Sequence, residues 1–376
     1  MKDEVEILFS DKKLESKSFR CANCGGKTVY KPELQKLQCE YCFSVFDVPK
    51  NEKITEQPIE DLLTKAKVWS GTDVIRCESC GAKEIVKKGQ ISKICSFCGS
   101  SNVVKTKEIV GMKPQGVCPF EKSGAEAEVC AKKWAKKKWF APRAFKKNVK
   151  TEKLHGVYSP VFTFDCKTDT TYHGTLAKRE TEVYYRDGKA YTRSKTRTFG
   201  IKGKHTKFFD DLIVRASQNI SEIVMRGLEP FPTNNASKYS QSFLSGYTAN
   251  TYSKDGEQTW KDCKNIMSMR IKSEILRRYD YTSVISFSSD TNYLETKFKY
   301  ILLPIYVGHF EYRKKLYNFY INGVTGKVVG KTPKSPWKIL LVVLIALGLA
   351  ALFVYLFFIL PAIYETGDML DGLFVH

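Results

Sequence analysis

The chain has 376 residues, enough for two or three domains, and its 43% hydrophobic content argues against a protein unable to build a core. The formal charge of +21 calls for an acidic partner. Nucleic acid, anionic lipid and acidic protein all qualify, and charge alone does not choose among them. Met1 to Ser10 carries four charges and no apolar run, so no signal peptide is expected there.

After an N-terminal tail (1–18), residues 19–48 carry two Cys-x2-Cys pairs, Cys21/Cys24 and Cys39/Cys42, with fourteen residues between them. A shift of 56 residues reproduces the pattern at Cys77/Cys80 and Cys95/Cys98, within residues 75–106. Arg20 and Arg76 precede the two units, and Gly25 and Gly81 follow the first pairs, so this is an internal duplication. Two residues between cysteines let one tight turn present both sulfurs, and the spacer forms a hairpin that brings the second pair opposite. Gly25, Gly81 and Gly99 tolerate the positive φ such turns need, whereas Phe43 stands at the fourth position. Two zinc ribbons are expected, each with a closed four-thiolate Zn2+ site that is structural rather than catalytic. Thiolate ligands place them in a reducing compartment. Lys27, Lys31 and Lys36 in the first spacer, and Lys83, Lys87, Lys88 and Lys93 in the second, could bind phosphate. The plainer readings are protein contact or ordinary polar surface.

Residues 49–74 read as a linker, polar from Pro49 to Pro58, with helical spacing over Ile59–Trp69. Residues 107–330 read as an α+β domain with a mostly antiparallel sheet. A helix is predicted over Glu121–Phe140, with Glu early and Lys late, ending at Pro142. The densest basic run, Lys132 to Lys150, interleaves Trp134, Trp139, Phe140 and Phe145. Those aromatics suit packing on the sheet with lysines in water, apposition to an anionic leaflet, or nucleic-acid stacking. Alternation over residues 156–216 predicts strands with a turn at Asp187-Gly188. A second helix is expected over Glu257–Tyr279, followed by strands in "TKFKYILLPIYVGHFEY" and "KLYNFYINGVTGKVVG".

Residues 331–338 form a basic juxtamembrane segment with Lys331, Lys334, Trp337 and Lys338. Ile339 to Leu360 is an uncharged stretch of 22 residues. At about 1.5 Å per residue it spans roughly 33 Å, the thickness of a bilayer core. Only acidic charges follow, at Glu365, Asp368 and Asp371. The positive-inside rule therefore predicts a single-pass membrane protein, its bulk in the cytoplasm and residues 361–376 outside.

Catalysis finds little support. The histidines are scattered, Gly200–His205 lacks the phosphate-loop pattern, and Asp210 and Asp211 should point to opposite faces of a strand. Cys118, Cys130, Cys166 and Cys263 read as core residues.

The pieces "FRCANCGGK…LQCEYCFSVFDV", "IRCESCGAK…KICSFCGSSNVV", "KKWFAPRAFKK", "GVYSPVFTFD" and "LPIYVGHFEYRKKLYNFYINGVTGKVVG" span most of residues 19–330. In this order they resemble bacterial membrane-anchored double zinc-ribbon proteins, described as TFIIB-type zinc ribbon-containing or, loosely, primosomal protein N′-like. The chain has no helicase phosphate loop, so the primosomal activity does not carry over. The resemblance implies zinc ligation by all eight paired cysteines and no catalytic residues. It also implies phage-shock-protein-A-like and SPFH/flotillin-like partners, with another membrane subunit. The expectation is a non-enzymatic membrane adaptor in envelope-stress protection; the alternative is a membrane-tethered nucleic-acid binder.

Overall fold

The computed structural model describes residues 21–48, 54–64, 68–69, 73–78, 83–86, 95, 103–106, 109–110, 112–147, 154–250, 252, 254, 256–312 and 315–359. The N-terminal tail, Cys80, Cys98, Gly81, Gly99, Lys87, Lys88, Lys93, Lys150 and the tail after the apolar helix lie outside these residues.

The first cysteine unit folds as a small antiparallel sheet of β1 (Thr28–Lys31), β2 (Lys36–Cys39) and β3 (Val45–Phe46). Then come β4 (Gln57–Pro58), helix α1 (Ile59–Thr64) and β5 (Val68–Trp69). The helix expected up to Trp69 is described over Ile59–Thr64, and Val68 and Trp69 instead pair as a strand with Val110 and Ile109. The second unit contributes β6 (Asp73–Cys77), β7 (Lys83–Val86) and β8 (Val103–Thr106), followed by β9 (Ile109–Val110) and β10 (Gly116–Val117). Helices α2 (Gly124–Lys137) and α3 (Arg143–Lys147) precede two long strands, β11 (Leu154–Arg186) and β12 (Lys189–Arg215). Helix α4 (Glu222–Leu228), β13 (Ser237–Lys238), β14 (Thr248–Asn250) and α5 (Gly256–Leu276) follow. The described chain closes with β15 (Ser283–Tyr312), β16 (Lys315–Asn322), β17 (Val328–Gly330) and α6 (Pro336–Val354).

The fold is α+β, and its pairings are mostly antiparallel. The main sheet runs β13-β10-β15-β11-β14-β7-β6-β8, with β12 added to β11 and β16 to β15. The hairpin of the second cysteine unit therefore extends the same sheet through Ala249↔Ile85. Two prolines sit inside the long strands. In a strand a residue's N and C=O face the same neighbour. The Pro160 carbonyl accepts from Ala216 N, and the Pro304 carbonyl from Gly323 N. Pro160 thus falls in the gap where β14 ends and β12 begins, and Pro304 lies just before β16 pairs. A missing donor costs no ladder bond at either place.

The core follows from which face of β11 is covered. Even-numbered residues from Tyr158 to Leu176 are buried except for the half-buried Gly174. Helix α2 and the first cysteine unit cover the lower part; α5, through Cys263, Met267, Ile271 and Ile275, covers the upper part. Ala127, Ala131 and Ala135 form a buried stripe at four-residue spacing, which lets α2 approach closely. Its start is fixed by a capping box between Ser123 and Glu126. On the odd face, α4 and Phe231 bury Val157 and Val161, but Lys167, Thr171 and His173 are exposed to solvent.

Strand β15 begins opposite Ala177, and α5 ends at Leu276. At its base Lys178 pairs with Asp280 (2.7 Å) and Arg179 N donates to Thr282 Oγ1 (3.0 Å); beyond them, to Arg186↔Lys189, the β11–β12 hairpin continues as a bare two-stranded ribbon, turning at Asp187-Gly188. Tyr184, Tyr185 and Tyr191 are exposed on it. Among the described residues one helix, Pro336–Phe357, is long and apolar enough to cross a membrane, and none of it is buried.

Candidate metal centre

Two knuckles of matching design shape the first site. Cys21 N donates to Gly26 O (2.7 Å), and Cys39 N donates to Ser44 O (2.9 Å). The residue after each second cysteine is left-handed: Gly25 at φ 70° and Phe43 at φ 58°. The turn that sequence alone marks as less suited therefore adopts the same backbone, with a large side chain in a region that disfavours one. β1 and β2 pair from Thr28↔Cys39 to Lys31↔Lys36, which brings the two knuckles together.

The four sulfurs lie within 4.8 Å of one another, with Cys21–Cys42 at 3.4 Å and Cys24–Cys39 at 3.5 Å. A tetrahedral ion 2.3 Å from each sulfur sets them about 3.8 Å apart, so the cluster is close enough to bind a metal ion. A Cβ at residue 26 would meet Tyr41 Cδ2 at 2.6 Å and the Cys24 and Cys39 sulfurs at 3.2 and 3.3 Å, so Gly26 leaves them room. Hydrogen bonds from the Ser44 hydroxyl and N–H bring the Cys42 thiol down to about 6. The Cys42 N–H lowers Cys39. The Gly26 N–H acts to lower Cys24, but hydrogen bonds with the Cys42 and Cys39 sulfurs outweigh it and push Cys24 up to about 12. Four thiols this close cannot all ionise without a cation among them, and a bound ion supplies that charge.

The site is tied to the core. Tyr30, Leu37 and Val48 are buried beside Phe120, Phe243 and the α2 alanines. Tyr30 Oη and Gln35 Nε2 donate to Phe120 O (3.4 and 2.8 Å), and Ser245 Oγ donates to Thr28 O (2.5 Å). Two of the three spacer lysines are paired locally, Lys27 with Glu40 (3.4 Å) and Lys36 with Asp47 (2.9 Å). In the second unit Cys77 and Cys95 are buried. Among the described residues the first unit alone brings four cysteines together.

No family model matches the chain, and no solved structure matches it. The chain is 27% identical over 323 residues to the uncharacterized protein YdjG of Bacillus subtilis (strain 168). That alignment covers 86% of this chain and 92% of the relative.

Away from the cysteines, the structure assembles a charged cluster that sequence reasoning missed. Asp210 and Asp211 together face Asp165, so β12 bulges and Asp211 takes φ 46°. In that conformation Asp211 turns inward while Asp210 stays exposed, and Lys299 Nζ meets Asp211 at 2.6 Å and Glu56 at 3.4 Å. Thr233 Oγ1 donates to Asp211 (2.9 Å), and Asp211 N donates to Asp165 Oδ1 (2.7 Å). Burial, then the hydrogen bond with Glu56, raises Asp165 to about 7. Burial acts to lower Lys299, but Asp211 overrides it and raises the ammonium. No sequence signal marks this cluster, because its members come from four separate segments. Two of the histidines have polar partners: His205 lies 2.6 Å from an Arg278 nitrogen, and His309 lies 3.0 Å from Asn318 Oδ1. Burial pushes Cys118 up to about 12 and also raises Cys166 and Cys263, as suits core thiols.

Proposed function

We propose that this protein is a non-enzymatic membrane adaptor. Zinc held by Cys21, Cys24, Cys39 and Cys42 stiffens one side of the body, and a second zinc held by Cys77, Cys80, Cys95 and Cys98 stiffens the sheet edge. Helix α6 spans the membrane, with residues 1–338 in the cytoplasm, following the lysines before the span and the acids after it. The body recruits proteins to that face in envelope-stress protection. The family resemblance points to phage-shock-protein-A-like and SPFH/flotillin-like proteins, together with another membrane subunit.

The observation that carries this reading is the bare ribbon. Its tyrosines and mixed charges stand clear of the core, which suits contact with another protein. The closed four-thiolate geometry supports a structural metal, and the local pairing of Lys27 and Lys36 favours protein over nucleic acid as the partner.

The test shortens the ribbon by removing Arg179–Arg186 and Lys189–Thr196 while keeping the Asp187-Gly188 turn. Lys178 and Arg197 have the same ladder parity as Arg186 and Lys189, so the hairpin closes in register. Full-length and shortened proteins are purified from detergent-solubilised membranes, with and without nuclease. Co-purification of one of the named partners with the full chain, lost on shortening, is expected. The same partners on both proteins, or nuclease-sensitive nucleic acid alone, overturns the proposal; the latter outcome restores the nucleic-acid alternative.

A further inference from the structure

The aromatics in the basic run between Lys132 and Lys150 divide into two sets. Trp134 and Phe145 turn inward: Trp134 lies 5.9 Å from both Phe145 and Phe319, and Phe145 lies 5.1 Å from Phe310. Trp139 and Phe140, in the corner between α2 and α3, turn outward. They are 54% and 40% exposed, and their rings meet edge to face at 5.1 Å. An exposed pair of large rings beside a buried pair needs a reason.

The corner is bonded to the start of α6. Ser335 N donates to Phe140 O (2.8 Å), and Lys338 Nζ donates to Trp139 O (2.7 Å) and Ala141 O (2.9 Å). These bonds hold the corner beside the first turn of the helix that crosses the membrane, next to Trp337, itself 76% exposed. The surroundings are of one sign. Between Val129 and Lys150 the chain has no Asp or Glu, and Lys136, Lys137 and Arg143 are exposed at the corner. Tryptophan and phenylalanine flanked by lysine and arginine are suited to the boundary between headgroups and acyl chains of an anionic bilayer.

We propose that the corner Lys138–Pro142 is a second membrane contact. Trp139 and Phe140 seat in the interface beside Trp337, and Lys136, Lys137 and Arg143 bind the phosphates of anionic phospholipid. The proposal rests on the reading that α6 spans the membrane. A single helix would leave the folded body free to swing about its start; a second contact fixes its tilt against the surface.

The test uses the full chain in lipid nanodiscs whose phospholipids are brominated near the headgroup end of the acyl chain, with tryptophan fluorescence as readout. Trp337→Phe should leave a quenchable component that the added change Trp139→Phe removes. That component should be at least twofold larger in phosphatidylglycerol than in phosphatidylcholine. If bromolipid quenches Trp337 while Trp139→Phe changes nothing, the anchor stands and the second contact is overturned. If neither residue is quenched, the reading of α6 fails and takes this proposal with it. Equal quenching of Trp139 in the two lipids refutes the anionic preference. A Trp139 signal that responds to added duplex DNA but not to bromolipid refutes the lipid assignment.

Discussion

Replacing Asp165 with asparagine isolates the charged cluster under the β12 bulge. The asparagine Oδ1 can still accept from the Asp211 N–H, now seated at 2.7 Å from the carboxylate, while the titrating proton is gone. The folded-state pKa of Asp165 lies near 7 against an ordinary 3.8, because burial and the Glu56 carboxyl oppose its ionisation. The folded protein thus holds this proton more tightly than the unfolded chain. The resulting stabilisation is fully present below about pH 4 and is lost as pH rises through about 7. The gap corresponds to at most about 4 kcal/mol, and relaxation of the surrounding polar groups reduces it to about 2 kcal/mol. Roughly half of that is already lost at pH 5.5. The advantage of Asp165→Asn should therefore widen by about 1 kcal/mol between pH 5.5 and pH 8, or about 2–4 °C in melting temperature. Thermal melts of the detergent-solubilised proteins at the two pH values measure this. A constant difference, or a variant less stable at pH 8, would refute the reasoning.

Cys39→Ser removes a fully buried candidate ligand, so bound metal should fall by about one ion per chain, as read by elemental analysis; unchanged metal content would exclude the first site. Because Tyr30 and Leu37 ride on the same hairpin, the variant should also cleave faster there under limited proteolysis. Phe43→Gly relieves a left-handed backbone at a 68% exposed side chain and should raise the stability of metal-loaded protein by up to about 1 kcal/mol. A loss of similar size would mean that the ring makes a contact the fold depends on.

Much of this architecture was legible because it rests on local chemistry. The cysteine spacing, Gly25 and the β1–β2 pairing together build the cluster, and Asp187-Gly188 turns the hairpin as its type requires. The helix expected over Glu257–Tyr279 is found at Gly256–Leu276. What the sequence concealed depends on neighbours distant in the chain. Residues Ser283–Leu294 carry little strand pattern of their own and are ordered by pairing along β11. Asp211 was hidden by a bulge, which the alternation rule does not anticipate. The aromatics of the basic run share one composition, yet only the fold sends Trp134 inward and Trp139 outward.

The bare ribbon also has a mechanical meaning. From Lys178 to Arg186 the hairpin reaches about 27 Å at the rise of an antiparallel strand. A flexible loop pinned at the same two ends would carry its midpoint only roughly 12 Å away on average. The hairpin therefore acts as a spacer: whatever grips its tip is held at a set stand-off from α5 and the core, and lengthening the ribbon in even steps would move that gripping point outward without rebuilding either end.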